Sequence, residues 1–360
     1  MVMQRTANPW MPVRFRPRPP LKKRAPRGGF FGAWGGIEPA RAPTKTPPSV
    51  GDFLCKFMER NFFMTPEFES LMESMRPASP RTVALACATD PNALSSVCVA
   101  HKMGFIDAVL YGDENDIKNI ASKHNLDISD FEIVHCDDEL LAANAAVGAV
   151  RDGRADILMK GLIHTADILR AVLNRETGIR GDGILSHVSV LYSPVHNRKL
   201  FLTDIAMVMY PTLEQKVDLI NNAVSFARHM GVDAPRVAPL CAVETLNPKM
   251  PATVDADALH QMNVRGEIKN CVVSGPISFD IAVSKSAATT KGYTGPVQGD
   301  ADILLFHNIE AGNNTIKAMV QFGDWIFGGV FVGARAPIVI NSRADSDTSK
   351  LFSIACACTM

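Results

Sequence analysis

No apolar run in the chain is long enough to cross a bilayer: the longest, 140–150 and 325–334, fall well short of the ~20 residues a spanning helix needs. There is no net charge either, since 37 Lys and Arg balance 37 Asp and Glu, so no global field draws the chain to nucleic acid or an anionic membrane. The eight cysteines contain no C-x-x-C and no Cys/His spacing that would cage zinc. Cys356 and Cys358, the one close pair, read as small residues of a reduced helix. Phosphate-loop, nucleophile-elbow, zincin and kinase motifs are all missing. The nearest approach to a dinucleotide fingerprint, Gly181-Asp-Gly-Ile-Leu-Ser186, ends in Ser and precedes a strand. No period of 20–50 residues recurs, which excludes a solenoid. A membrane protein, a disulfide scaffold and a zinc module are thereby set aside.

What is present is a chain of 360 residues, 47% hydrophobic, enough for one large or two ordinary α/β domains. Its balanced charge hides an asymmetry. Residues 1–50 hold ten basic residues and ten prolines against a single acid, Glu38, leaving 27 basic and 36 acidic residues for the remainder. Such a segment buries too little apolar surface to offset its ordering entropy. Residues 1–63 are therefore expected to be a disordered basic extension, with an over-long start as one explanation and Met58, Met64 or Met72 as downstream starts. A transit peptide is disfavoured because Pro17, Pro19 and Pro20 would break its helix; a nucleic-acid arm is a further alternative.

From about Phe68 the texture changes to short apolar runs alternating with helical patterns of ten to fifteen residues, the signature of βαβ units on a parallel sheet. Predicted strands include 81–88, 106–111, 131–135 and 156–160. They alternate with helices such as that after Asp90-Pro91, an N-cap and first-turn proline, and Glu139–Arg151. Segments 184–192 and 200–203, close together around Ser193-Pro194, predict a hairpin. Helices at 213–230, 256–264, 279–288, 311–322 and 346–358 alternate with further strands at 236–242, 271–274, 302–306, 328–332 and 337–341.

Open α/β sheets place ligands at strand ends, and four polar clusters fall there: Lys160-Gly161 with His164 and Thr165; Ser274-Gly275-Pro276 with Asp280; 308–314 with Lys317; and 341–347. In the last, an apolar run delivers Ser342-Arg343 to what reads as a helix start, which suits phosphate through free N–H groups and a guanidinium fork. Asp345 or Asp347 is a potential base. The plainer reading makes Asn341 or Ser342 an N-cap with acids in the first helical turn. Likewise Gly312-Asn313 reads also as a turn, and His164 as a cap.

Together the segments 155–170 (ADILMKGLIHTADILR), 185–188, 203–215 (TDIAMVMYPTLEQ), 242–253, 274–280 (SGPISFD), 299–317 and 337–353 resemble the phosphate acetyl/butyryltransferase family, over roughly residues 68–360. The Met-Lys-Gly at 159–161 leans toward the butyryl branch, the acetyl branch carrying Ser at the place of Lys160. The resemblance implies a two-domain, isocitrate/isopropylmalate dehydrogenase-like α/β fold in three αβα layers with the active site in a cleft. The first domain would be 64–178 plus 332–360 and the second 179–331. It also implies a cytoplasmic homodimer, coenzyme A and phosphate as substrates, no bound cofactor or metal, and a functional link to an acyl kinase.

The implied reaction exchanges acyl-CoA and phosphate for acyl phosphate and CoA without a covalent enzyme intermediate. The resemblance gives Arg343 to phosphate, Ser342 to hydrogen bonding, Lys160 to charge near the transition state and Asp345 or Asp347 to proton abstraction. His164, Thr165, Gly275, Asp280, Gly312, Asn313 and Lys317 are carried over as substrate-binding positions. One departure stands out: the acetyl branch has its proposed base seven residues after the Ser of the Ser-Arg pair, where this chain has Ser349. A non-catalytic CoA or acyl-phosphate binder and acetyl specificity are the alternatives. A metal-dependent decarboxylating dehydrogenase of the same fold class is disfavoured, since no DxxxD array follows a strand.

Overall fold

The computed structural model describes residues 65–342 and 345–360. The expectations for residues 1–63 and for Arg343 lie outside the described residues. Among the described residues, eleven strands form one sheet: β1 (Arg81–Ala86), β2 (Ile106–Gly112), β3 (Glu132–His135), β4 (Ile157–Lys160), β5 (Ser186–Ser193), β6 (Arg198–Thr203), β7 (Arg236–Pro239), β8 (Val272–Val273), β9 (Ile303–Leu305), β10 (Ile326–Val332) and β11 (Ile338–Val339). Their spatial order is β3-β2-β1-β4-β11-β10-β5-β6-β9-β7-β8. Two parallel blocks, β3-β2-β1-β4-β11 and β6-β9-β7-β8, are joined by β10 and β5, which pair antiparallel with each other and with their outer neighbours.

Helices cover both faces. They are α1 (Pro66–Ser74), α2 (Pro91–Lys102), α3 (Glu114–Lys123), α4 (Glu139–Arg151), α5 (Thr165–Val172), α6 (Leu213–His229), α7 (Pro251–Val264), α8 (Phe279–Val283), α9 (Lys285–Thr290), α10 (Ile309–Phe322) and α11 (Asp347–Cys358). Side-chain alternation along the strands sorts the core. On one face Val188, Val190, Val330 and Val332 pack with α1, α2, α6 and α11 in a single apolar cluster. On the other face two clusters stand apart, one with α4 and α5 over the first block and one with α8 to α10 over the second. The helices packed on β10 and β5, α11 and α6, lie on the first face. The gap between the two clusters is where the sheet is left open.

Local chemistry explains most boundaries. Asp90 Oδ1 accepts from the N–H groups of Asn92 and Ala93 and Pro91 fills the first turn of α2, as predicted. Thr212 and Gln215 cap α6 reciprocally. The predicted helix over 279–288 is instead two, because Ser284 is extended and its side chain caps α9. The β5–β6 hairpin closes through Asn197, whose φ of 43° suits asparagine and whose Oδ1 accepts from Tyr192. The helix after β11 begins at Asp347 with Ser346 as its cap, so neither Asn341 nor Ser342 is the N-cap. Ser342 lies upstream of the helix, its N–H donated to Asp345 Oδ2 at 2.7 Å. Gly312-Asn313 is inside α10 rather than in a turn. Cys356 and Cys358 are free and buried in α11.

Candidate active site

A cavity of about 800 Å³ occupies the gap between the two clusters. Its floor is sheet: Phe327 and Phe331 of β10 and His187 of β5. One wall is α10, through Asn313, Ile316, Lys317 and Val320; the other is Thr165 of α5 with Ile340 to Ser342 and Asp345 after β11. Ile205 and Ala206, beyond β6, close one end. Thr165, Asn313, Lys317, Ser342 and Asp345, drawn from three stretches of sequence, thus line one space.

Two of these side chains are held by the backbone around them. Asn313 Nδ2 donates to the Ile205 carbonyl at 3.0 Å. That approach needs Gly312, where a Cβ would stand 2.7 Å from the Asp204 carbonyl oxygen and 2.9 Å from the Ile205 side chain. Gly312 is therefore a close-packing position, distinct from the substrate-binding one expected. Asp345 sits half-buried; burial pushes its carboxyl above the usual range, opposed by the Ser342 N–H, the Asn341 side chain and the Lys350 charge. Asn341 Nδ2 donates to Ser353 Oγ at 3.1 Å, while its Oδ1 is buried and has no partner among the described residues.

The other expected residues fall elsewhere. Asp347 is outside the cavity lining; burial and the nearby Asp90 carboxylate raise its pKa and Lys350 lowers it. Ser349 is tied into the first turn of α11, its N–H and hydroxyl both bonded to Ser346 Oγ. Lys160 ends β4, its Nζ 3.2 Å from the Gly161 carbonyl. It does not line the cavity, although β4 pairs with β11 through Met159 and Val339, one residue before Lys160 and Ile340. His164 is exposed at the N-cap position of α5 without a side-chain cap bond. Gly275 and Asp280 follow the edge strand β8, four strands from β5 and so about 19 Å across the sheet. Asp280 accepts from Ser278 at 2.7 Å and pairs with Lys291 at 3.0 Å, which pulls its carboxyl down to about 2. That is an ion-pair role, remote from the cavity.

Sequence reasoning did not single out His187 or Asp204 as site-forming residues. Asp204 is buried and accepts from the N–H groups of His187, Ala206 and Met207 at 2.7–2.9 Å, which fixes the turn carrying Ile205. His187 packs edge-on to Phe331 at 4.8 Å, its Nδ1 3.2 Å from Ser189 Oγ. The available signal was the strand itself: in 186–193 the polar side chains His187 and Ser189 alternate with Val188 and Val190 although the whole strand is buried. Among the described residues no group of three His, Cys, Asp or Glu could hold a metal ion, and no helix is long and apolar enough to cross a membrane.

Residues 139–358 match the family model described as phosphate acetyl/butaryl transferase. The phosphate butyryltransferase of Clostridium acetobutylicum is 47% identical over 294 residues, covering 82% of this chain and 98% of that one. The phosphate acetyltransferase of Thermotoga maritima is 39% identical over 287 residues, 80% and 97% of the two chains. Among solved structures, a branched-chain phosphotransacylase from Enterococcus faecalis superposes with a TM-score of 0.70 at 34% identity, covering 78% of this chain and 98% of that one. The matched segment runs from α4 through α11 and so contains every residue found to line the cavity; on these grounds the chain belongs to the phosphate acetyl/butaryl transferase family.

Proposed function

We propose that the chain interconverts a short-chain acyl-CoA, butyryl-CoA foremost, plus phosphate with acyl phosphate plus CoA, in a ternary complex without a covalent enzyme intermediate. The observation that carries this reading is the convergence of Thr165, Asn313, Lys317, Ser342 and Asp345 on one cavity with an apolar floor. In the direction of CoA acylation, Asp345 takes the thiol proton, the thiolate attacks the acyl carbonyl carbon, and the bond to the phosphate oxygen breaks. Ser342 donates to the departing oxygen and Arg343 holds the phosphate as charge accumulates on it. Asp345 is preferred to Asp347 as base because it lines the cavity. Lys160 stands at the switch point between β1 and β4, where the chain changes direction across the sheet, and adds positive potential beside Ile340. The remaining positions divide by reach: His164 and Thr165 flank the same strand end, whereas Gly275 and Asp280 lie so far away that only the distal part of CoA could meet them.

The finer architecture belongs to the same proposal: an isocitrate dehydrogenase-like pair of α/β units, 64–178 plus 332–360 and 179–331, in a cytoplasmic homodimer linked to an acyl kinase. The test is phosphate-dependent release of free thiol from butyryl-CoA, followed with a thiol reagent with and without EDTA. Phosphate-dependent release that EDTA leaves intact supports the transferase. Saturable CoA binding without release would make the chain a non-catalytic binder.

A further inference from the structure

The face of β10 turned to the cavity reads Phe327, Gly329, Phe331, and the missing side chain in the middle is replaced from the neighbouring strand. A Cβ on Gly329 would lie 2.7 Å from both Cε1 and Nε2 of His187, so the imidazole occupies the space that any other residue at 329 would fill. Register makes this possible, since Gly329 pairs with Ser189 and Phe331 with His187. The ring is then fixed from three sides: Ser189 Oγ on Nδ1, Phe331 edge-on and Gly329 beneath. Burial keeps it neutral, its pKa pushed down to about 4, so it shows no charge to the cavity at neutral pH. The result is a rigid, uncharged step between two phenyl rings, beneath walls that carry the polar groups.

We infer that this step measures the acyl chain: the hydrocarbon lies on the Phe327–His187–Phe331 floor, and the height of the His187 ring sets the longest chain accepted. The inference rests on the acyl-transfer reading above. The occupant follows from chemistry, because phosphate and the reacting carbonyl need the donors of the walls, and the part of an acyl-CoA left to an uncharged floor beside them is the chain. Val320, 40% exposed on α10, also lines the cavity without belonging to the sheet.

The experiment compares kcat/KM for acetyl-, butyryl- and hexanoyl-CoA as ratios, which cancel any general loss of folded or active enzyme. A methylene in an apolar pocket is worth about tenfold or more in such a ratio. His187→Ala should raise the hexanoyl-to-butyryl ratio by at least about tenfold. Val320→Phe, which fills the groove without disturbing the sheet, should lower the butyryl-to-acetyl ratio by about as much, and it decides the matter if the His187 variant does not fold. Ratios unmoved in active variants would overturn the inference and leave the transferase reading standing. A uniform change in KM for CoA across all chain lengths would also overturn it, placing the pantetheine arm on the floor. A wild-type enzyme inactive on every acyl-CoA would remove the transferase reading, and this inference with it.

Discussion

Asp345 carries opposite demands. As the proposed base it must be ionised at neutral pH, yet burial holds its carboxyl above the ordinary range. Its native form therefore binds the proton more tightly than the unfolded chain, and the stability this gives is present below the unfolded pKa of about 3.9 and lost as pH rises through the folded pKa. At neutral pH the charge is a burden on the fold. Asp345→Asn should consequently raise the melting temperature at pH 7, with the gain closing toward pH 4, while kcat in the acyl-phosphate direction falls about a hundredfold. The low end of general-base magnitudes is expected because a thiol of pKa about 8.5 is already partly ionised near neutrality, and the defect should shrink as pH approaches that value. Asp347 has a raised pKa for a similar reason but stands outside the cavity, so Asp347→Asn should share the thermal gain and keep its turnover. Near-full kcat in Asp345→Asn at pH 7 would transfer the base role to Lys160, His164 or bulk water.

At the scale of elements, α10 is the wall that brings cavity-lining side chains to the sheet, and its approach hangs on one missing methyl group. Gly312→Ala would place a Cβ 2.7 Å from the Asp204 carbonyl oxygen, a backbone atom that its own turn prevents from moving. Overpacking of this kind costs about 1–3 kcal/mol. The helix should also be displaced enough to break the Asn313–Ile205 bond. A lower urea midpoint together with reduced kcat/KM is the expected result; an unchanged midpoint would mean that α10 can shift freely and that its close docking is not needed. Helices with strong caps were legible in the sequence, as Asp90-Pro91 and Thr212 through Gln215 illustrate. The division of 279–288 at Ser284 was not, because apolar spacing continues smoothly through a residue whose side chain serves better as a cap than inside a helix. The misreading of Asn341 and Ser342 as an N-cap has the same origin: four of the residues at 341–346 suit a cap by type, and the bonds from the Ser342 N–H to Asp345 and from the Ser349 N–H to Ser346 decide among them.

For the whole molecule, alternating strands and helices announced a parallel α/β sheet, and the resemblance carried over both Ser342 and Asn313 as site residues, which line one cavity. Strand order was beyond local patterns: nothing in 326–332 tells that β10 will lie between β11 and β5, and the cavity floor exists only because of that order. The remote position of Asp280 was hidden for the same reason, since a motif shows neighbours in sequence and not the four strand intervals between β8 and β5. The basic segment before this sheet supplies the last test. Residues 1–48 hold ten basic residues and one acid, so removing them takes the formal charge from zero to −9. A chain that acidic should repel phosphate and CoA at low salt. At 0.15 M ionic strength, however, the screening length is only about 8 Å, so charge outside the site itself is largely screened. Shortened chains beginning at Ser49 and at Met64 should therefore match the full chain in KM for phosphate at 0.15 M salt, and exceed it at 0.01 M, where the screening length is about 30 Å. Their melting temperatures should agree as well, because a contribution of even ~1 kcal/mol would move the midpoint by about 2–4 °C in a chain of 150–250 residues and not much less here. A fall of that size for the Met64 chain alone would assign residues 49–63 to the folded core, and a fall for both would show that the basic segment itself packs on the enzyme.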